Sequence, residues 1–364
     1  MGAPSETYVD PSINANSGTG TIGDPYGDLQ YALDTMTRDA TNGDRINIKS
    51  GTAEVLTGTI SLASYGLPRF DRYLVLEGYD SVAGDGGIGA IDGNAGNFTI
   101  FNSDYISVKN LKLFNTGTAV VIDPPSYAYI QNCEITQSST GGILGTHYVI
   151  VEKCYVHDIA GYGVKDCRRV ANCYFENGTT DKFTNAAEYL LASLAPSFTK
   201  NLFSLDSATN AIECGHISLV TGNSVLCSGG TGYGIKLSRT MICNNNLVEG
   251  FSGTGGAGLY GTGTHDLFAV DSNAVYNCTT NYDYPNDIFA DDNETLVSSP
   301  FAKTGSLPTD FTSATFWSDL YAYFAPVDIG NVYDGFPAGT NQTKGAVGQP
   351  VYSPTYSLHP LAYN

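Results

Sequence analysis

Two stretches of the chain repeat one small pattern, Gly163-Val164-Lys165-x-x-Arg168 and Gly234-Ile235-Lys236-x-x-Arg239. Glu213 lies between the two lysines, and Asp166, Arg169, His147, His216, Tyr260, His265 and Asp266 lie close to one or other stretch. A lysine whose pKa is lowered by neighbouring arginines can remove a proton, and an arginine can stabilise the enolate-like charge that follows. Lys165, Lys236 and Glu213 are therefore the candidate catalytic groups. Arg168, Arg239, His216 and Tyr260 are the candidate substrate contacts. The alternative is a solvated ladder of paired charges, which is worth little.

The elements that position these residues form a repeat. Ile122, Ile143, Val164, Leu191, Ile212, Ile235 and Leu259 fall in one column, with steps of 21, 21, 27, 21, 23 and 24 residues. A second column holds Ile130, Val151, Val170, Thr199, Val220, Ile242 and Val270, and a third holds Ile135, Val156, Phe175, Ser204, Val225, Leu247 and Val275. Asn132, Lys153, Asn172, Asn201, Gly222, Asn244 and Ser272 make a polar corner between the second and third columns. Three short apolar strands per period, parted by Gly and Asn, describe a coil that stacks on itself. The sheets are then parallel, with about 4.8 Å between coils. The residue after each first-column position turns outward, which gives Asp123, Leu144, Lys165, Ala192, Glu213, Lys236 and Tyr260.

Composition agrees with a turn-rich β protein, with 42 Gly in 364 residues. The formal charge of −19 repels a nucleic-acid backbone, so no nucleic-acid partner is expected. No run of about 18 apolar residues is present, so no membrane-spanning segment is expected. Met1-Gly2-Ala3-Pro4 has neither the charged start nor the apolar middle of a signal peptide. Either a leader has been removed or there was none, and the second case fits a phage particle protein released by lysis. Cys133, Cys154 and Cys173 follow the corner in successive coils, and Leu202 is assigned to that slot in the next. That reads as stacked core thiols, with one or more bridges as the alternative. No Cys/His pair has metal-ligand spacing, and no cofactor or metal is expected.

Residues 1–70 form an extended N-terminal segment and a capping helix, 71–285 the coil, and 286–364 a C-terminal cap or tail. The helix begins at an Asp24 N-cap with Pro25 at its first position, presents Leu29, Ala32, Leu33 and Met36, and ends at Asn42-Gly43. Asn177 to Asp181 loops out of the long unit. The tail is rich in aromatics, with a helix expected from Thr312 to Tyr323 and Ser313 near its start. It closes the far end or packs along one side, and a cap is the assignment made.

The three columns with their Asn corner resemble the right-handed parallel β-helix, or pectin-lyase-like, superfamily. Tyr8-Val9-Asp10-Pro11 and Gly23-Asp24-Pro25-Tyr26 are similar to the start of bacterial and phage β-helix repeat proteins. The implied fold is all-β: a single-stranded right-handed parallel β-helix of about 21–24 residues per coil, with an N-terminal capping helix and an aromatic-rich C-terminal cap. The resemblance also implies a saccharide chain lying across the outside of one sheet. The expected partner is an extracellular polysaccharide, bound and either cleaved, by a lyase or hydrolase step, or only held. The other reading is a non-catalytic saccharide-binding or structural fibre protein of a virion or cell surface. A homotrimer and a monomer are both open, and the expected location is extracellular, secreted or virion-associated. The calcium-binding aspartates and arginine motif of pectate lyases are not evident. Hydrolysis needs two carboxylates about 5–9.5 Å apart. Asp123, Asp158, Asp166, Glu213 and Asp266 are available, but no two share a column on adjacent coils. In His157-Asp158, strand alternation puts one member in a turn.

Overall fold

The computed structural model describes residues 3–325 except 14–15, 40, 58–59, 62–73, 96–97, 101–104, 123–126, 146–147, 178–184, 190–195, 207–209, 216–217, 239–240, 263–267, 284–287 and 292. Each coil contributes one strand to each of three parallel sheets, and every strand pairs with its counterpart one coil on. The first sheet has twelve strands, the second eleven and the third ten, which makes the fold a parallel β-helix. Its first strand is Ser5–Val9, paired with Asp44–Lys49. One full coil runs from Tyr162–Lys165 in the third sheet to Arg169–Ala171 in the first and Tyr174–Glu176 in the second.

The lumen is lined by three columns, all fully buried. In the third sheet these are Val120, Ile143, Val164, Ala187, Ile212, Ile235 and Leu259. Val120, not Ile122, is therefore in register with Ile143, because four consecutive apolar residues from Ala119 to Ile122 hide the phase. Ala187 takes the place given to Leu191, which lies outside the described residues. The extra residues are thus shared between two coils. In the first sheet Phe198 and Cys243 point inward, not Thr199 and Ile242, and Ile242 is half exposed. In the second, Phe203 and Val248 replace Ser204 and Leu247. A slip of one residue in a strand moves a side chain to the opposite face, so each of these is a change of side.

The corner between the first and second sheets is a left-handed residue in each coil. Asn110, Asn132, Lys153, Asn172, Lys200, Gly222, Asn245 and Ser272 have φ between +51° and +67°. Asn and Gly accept this conformation readily, which explains their recurrence. Lys200 and Asn245 hold the corner where Asn201 and Asn244 were expected. The next slot carries Cys133, Cys154 and Cys173, and then Asn201, Asn223, Asn246, Asn273 and Asn293, so Leu202 does not occupy it. Each asparagine amide donates to an inward residue of the first sheet: Val170 O at 2.9 Å, Phe198 O at 3.0 Å, Val220 O at 3.1 Å, Cys243 O at 2.9 Å and Val270 O at 2.8 Å. The thiols of Cys133, Cys154 and Cys173 reach the corresponding carbonyls of Val108, Ile130 and Val151, each at 3.7 Å. The cysteine stack is the weaker-donor continuation of the asparagine ladder. All eight cysteines are free, seven of them buried.

Helix α1 spans Leu29–Thr35, and its N-cap is Asp28, whose Oδ1 accepts from Tyr31 N at 2.6 Å. Asp24 instead accepts from Thr19 N, within the preceding turn. Leu29, Ala32 and Leu33 join the lumen cluster with Val9, Ile46 and Ile48, closing the first coil. Helix α2 spans Phe316–Tyr323, shorter than expected, with Thr315 as N-cap. Of the two placements open to the tail, its described part takes the side. Phe301, Phe311, Phe316, Leu320 and Phe324 form a second core with Tyr155, Tyr174, Leu202, Leu247 and Ala274 on the outer face of the second sheet.

Candidate functional site

The outer face of the third sheet carries an ordered set of polar and aromatic side chains. The structure aligns Tyr162-Gly163-Val164-Lys165, Asn185-Ala186-Ala187-Glu188, Asn210-Ala211-Ile212-Glu213 and Tyr233-Gly234-Ile235-Lys236 on four successive coils. In each, the second and third residues are buried and the first is half-buried, and the fourth is half-buried except for Glu188, which is buried against Lys165. The strand bends so that two consecutive residues face the lumen. A side chain at Gly234 would meet Val248 Cγ1 at 2.4 Å, so only a minimal residue fits under the bend. That bend brings positions one and four of every coil onto one external face.

On this face the fourth column reads Leu144, Lys165, Glu188, Glu213, Lys236, Tyr260 and Asp283. Lys165 Nζ lies 2.9 Å from Glu188 Oε1, and Lys236 Nζ lies 2.7 Å from Glu213 Oε1. Asn185 donates to Glu188 at 2.7 Å, Asn210 to Glu213 at 3.0 Å, and Asn210 also to Asn185 Oδ1 at 2.9 Å. Tyr233 and Tyr260 stack with centroids 4.2 Å apart and planes 9° from parallel. Lys165 and Lys236 sit over the rings of Tyr162 and Tyr233 at 5.7 and 6.0 Å.

The structure thus brings Lys165, Glu213, Lys236 and Tyr260 into one column and adds Glu188, which sequence reasoning missed. The signal was present: Asn-Ala-Ala-Glu and Asn-Ala-Ile-Glu are near copies, 25 residues apart. Placing the whole insertion in one coil had put Ala192 in that slot. The hydrogen bond to Glu188 raises the Lys165 pKa more than burial lowers it. The ammonium form is favoured, which suits a fixed cation and disfavours a neutral base. Arg168 is exposed and lies over Tyr148, 6.0 Å from its centroid, at the end of a Tyr105–Tyr127–Tyr148 stack on the first sheet. It does not join Lys165. Asp123, His147, Ala192, His216, Arg239, His265 and Asp266 lie outside the described residues.

A second concave region flanks the tail on the second sheet. It is a cleft of about 580 Å³ lined by Glu176, Ser204, Asp206, Glu249, Lys303 and Tyr323, among others. Glu249 accepts from Lys303 Nζ and from Ser299 Oγ, both at 2.6 Å. Glu176 accepts from the Tyr155 hydroxyl. Burial raises the Glu176 pKa more than that hydrogen bond and the neighbouring His157 lower it. His157 lies one coil away, its Nε2 3.1 Å from Glu134 Oε1 and its Nδ1 2.9 Å from Asp158 Oδ2. Asp158 is the member of that pair in a turn, with φ +51°. Burial raises the Glu134 pKa, but the hydrogen bonds from His157 and Lys112 outweigh it and leave the carboxyl lowered. Asp206 is exposed, two residues beyond Ser204, which is in register with Glu176.

No protein-family model matches this chain, and no curated protein does. Among solved structures it is similar to the GH136 lacto-N-biosidase from Eubacterium ramulus. The native form has a TM-score of 0.46 at 12% identity, covering 81% of this chain and 67% of that one. The selenomethionine form gives 0.45 at 14% identity with the same coverage. Likeness at this level says nothing of activity.

Proposed function

We propose that this protein binds a polysaccharide along the outer face of its third sheet. One observation carries the reading: the stacked Tyr233 and Tyr260 lie beside the Lys236–Glu213 pair, where the face of the four aligned coils continues onto a fifth. The Tyr260 ring face turned away from Tyr233 suits the apolar face of a pyranose, and the paired charges and amides suit its hydroxyls. Lyase chemistry finds little support, because Lys165 is held as the ammonium by Glu188.

A second reading, hydrolysis at the cleft on the second sheet, is favoured by Glu176. A carboxyl whose pKa is raised by burial is the form a general acid needs. Asp206 lines the same cleft from the adjacent coil, where its carboxylate accepts from Asn177 Nδ2 at 3.0 Å, and it is the second carboxyl that hydrolysis would need. The fibre reading expects an apolar side patch built from tail aromatics. Phe311, Phe316 and Phe324 are instead buried against this chain's own second sheet.

The test is a panel of neutral and acidic polysaccharides, scored for binding, for reducing ends and for the ultraviolet absorbance of unsaturated products. Binding with new reducing ends, abolished by Glu176→Gln, supports both readings. Binding without either product leaves a non-catalytic binder, and no binding on any glycan refutes the proposal. Light scattering on the same sample separates monomer from trimer.

A further inference from the structure

A groove of about 520 Å³ runs between the corner of the coil and helix α2, away from both regions described above. Its walls are chemically unlike. One side is aromatic, formed by Trp317 and Tyr321, and the other carries Lys109, Lys153, Gln131 and Asn132. The volume lies within the range of small-ligand sites, about 300–1,000 Å³.

The aromatic wall is rigid. Phe316 and Leu320 are fully buried under α2 and anchor the helix to the second sheet. Trp317 packs edge-on to Phe316, with planes at 90° and centroids 5.2 Å apart, which fixes the indole. Trp317 and Tyr321 have centroids 6.1 Å apart and planes inclined by 33°, a shallow V facing the corner. Both are half-buried, so part of each ring meets solvent. Among the described residues, the cations placed over aromatic rings sit on Phe114, Tyr162, Tyr148 and Tyr233 and not on this indole.

The opposite wall is basic on a chain whose formal charge is −19. Among the described residues, the lysines at 49, 112, 165, 236 and 303 are ion-paired, whereas Lys109 and Lys153 are in no salt bridge. The groove's carboxylate, Glu77, is buried and already engaged. It accepts from Asn110 Nδ2 at 3.2 Å, and Arg45 Nε lies 3.7 Å away. Asn132 spends its amide nitrogen on Asn110 Oδ1 at 2.7 Å, which leaves its own carbonyl oxygen for another donor. Two ammonium groups outside any salt bridge, with Glu77 in register with Lys109 on the preceding coil, together with side-chain amides and a fixed aromatic V describe a site for a flat-faced, hydroxylated ligand with a single negative charge.

We infer that this groove binds a pyranose residue carrying one anionic group, a carboxylate or a sulfate, with its apolar face on Trp317 and Tyr321 and its anion between Lys109 and Lys153. A single-stranded nucleic acid would also use aromatics and lysines, but its repeated charge meets a strongly acidic protein. This site is separate from the face of the third sheet, and the two are tested by different readouts.

Trp317 is the sole tryptophan of the chain, so its fluorescence reports this groove. The full-length protein is titrated with a uronate trisaccharide, its methyl ester, a sulfated disaccharide and a short oligothymidylate. The expected result is a saturable change with the uronate or the sulfated sugar, the better of the two naming the anion. Binding should weaken at least tenfold for the ester and in the Lys109→Met/Lys153→Met double variant. Glu213→Gln should leave the signal unchanged even if binding on the third sheet is lost. Calorimetry with Trp317→Leu, whose fold is checked by circular dichroism, should show the same loss. The inference is overturned by no saturable change with either anionic sugar, by equal affinity for the ester, by indifference to the lysine variants, or by tighter binding of the oligonucleotide.

Discussion

Glu188 and Glu213 stand directly in register on adjacent coils, with Lys165 on the coil before meeting Glu188 and Lys236 on the coil after meeting Glu213. Two like charges at the sheet spacing repel, so the pairs with Lys165 and Lys236 and the amides of Asn185 and Asn210 are what make the column tolerable. The four-coil motif is self-compensating, and its lysines are fixed points of positive charge.

That arrangement predicts a small stability effect. Lys236 and Glu213 keep side-chain exposures of 25% and 15%, so solvent screens the pair. Lys236→Met should cost about 0–1 kcal/mol, and the Lys236→Met/Glu213→Gln double variant should cost no more than either single one. Urea unfolding of the four proteins checks this. A loss several times larger would make the pair a structural element and not a surface one.

The asparagine ladder should matter far more. Asn223 Oδ1 accepts from Asn201 N at 3.0 Å, and its amide donates to Phe198 O and Asn246 Oδ1 inside a fully buried slot. Asn223→Ala strands these groups and should cost about 2–4 kcal/mol. Asn223→Cys, which restores a donor of the kind used by Cys154, should cost clearly less. Equal losses for the two variants in equilibrium unfolding would contradict the equivalence of thiol and amide.

Buried free thiols make a chemical prediction. Burial raises the Cys133 and Cys154 thiols well above the usual range, and Cys278 is the one cysteine that is partly exposed. A thiol reagent should modify Cys278 first in the native protein and all eight only after unfolding. Reductant should leave the melting temperature unchanged, whereas a shift would reveal a bridge.

Glu54 gives the fold a pH dependence. It is buried beneath α1, and burial pushes its carboxyl up to about 7, although Leu29 N donates to it. A carboxyl raised in the folded state stabilises fully below its unfolded value, and that contribution is lost as pH rises through about 7. Relative to wild type, Glu54→Gln should therefore gain about 2–3 kcal/mol between pH 4.5 and pH 8. A pH-independent difference would contradict the burial of an ionisable group there.

The period, the Asn corner and the buried thiols were legible because Gly, Asn and Cys recur where left-handed backbone and a tight buried slot demand them. Register was less so. Phe198-Thr199, Phe203-Ser204 and Ile242-Cys243 each offer two residues for one inward slot, and only the pairing decides between them. The candidate column came through in Lys165, Glu213, Lys236 and Tyr260 but lost Glu188, since the length added between Val164 and Ile212 falls in two coils. The Glu176 cleft and the Trp317 groove depend on where the tail folds back, which no local pattern encodes.

The most direct measurement is the affinity of the intact protein for whichever polysaccharide the panel selects, compared with Tyr233→Ala and Tyr260→Ala. Both rings are half-buried on the outer face, so their removal should leave the fold intact. The account predicts binding at least tenfold weaker in each variant, with unfolding midpoints close to wild type. Unchanged affinity in both would show that the saccharide does not lie along the third sheet.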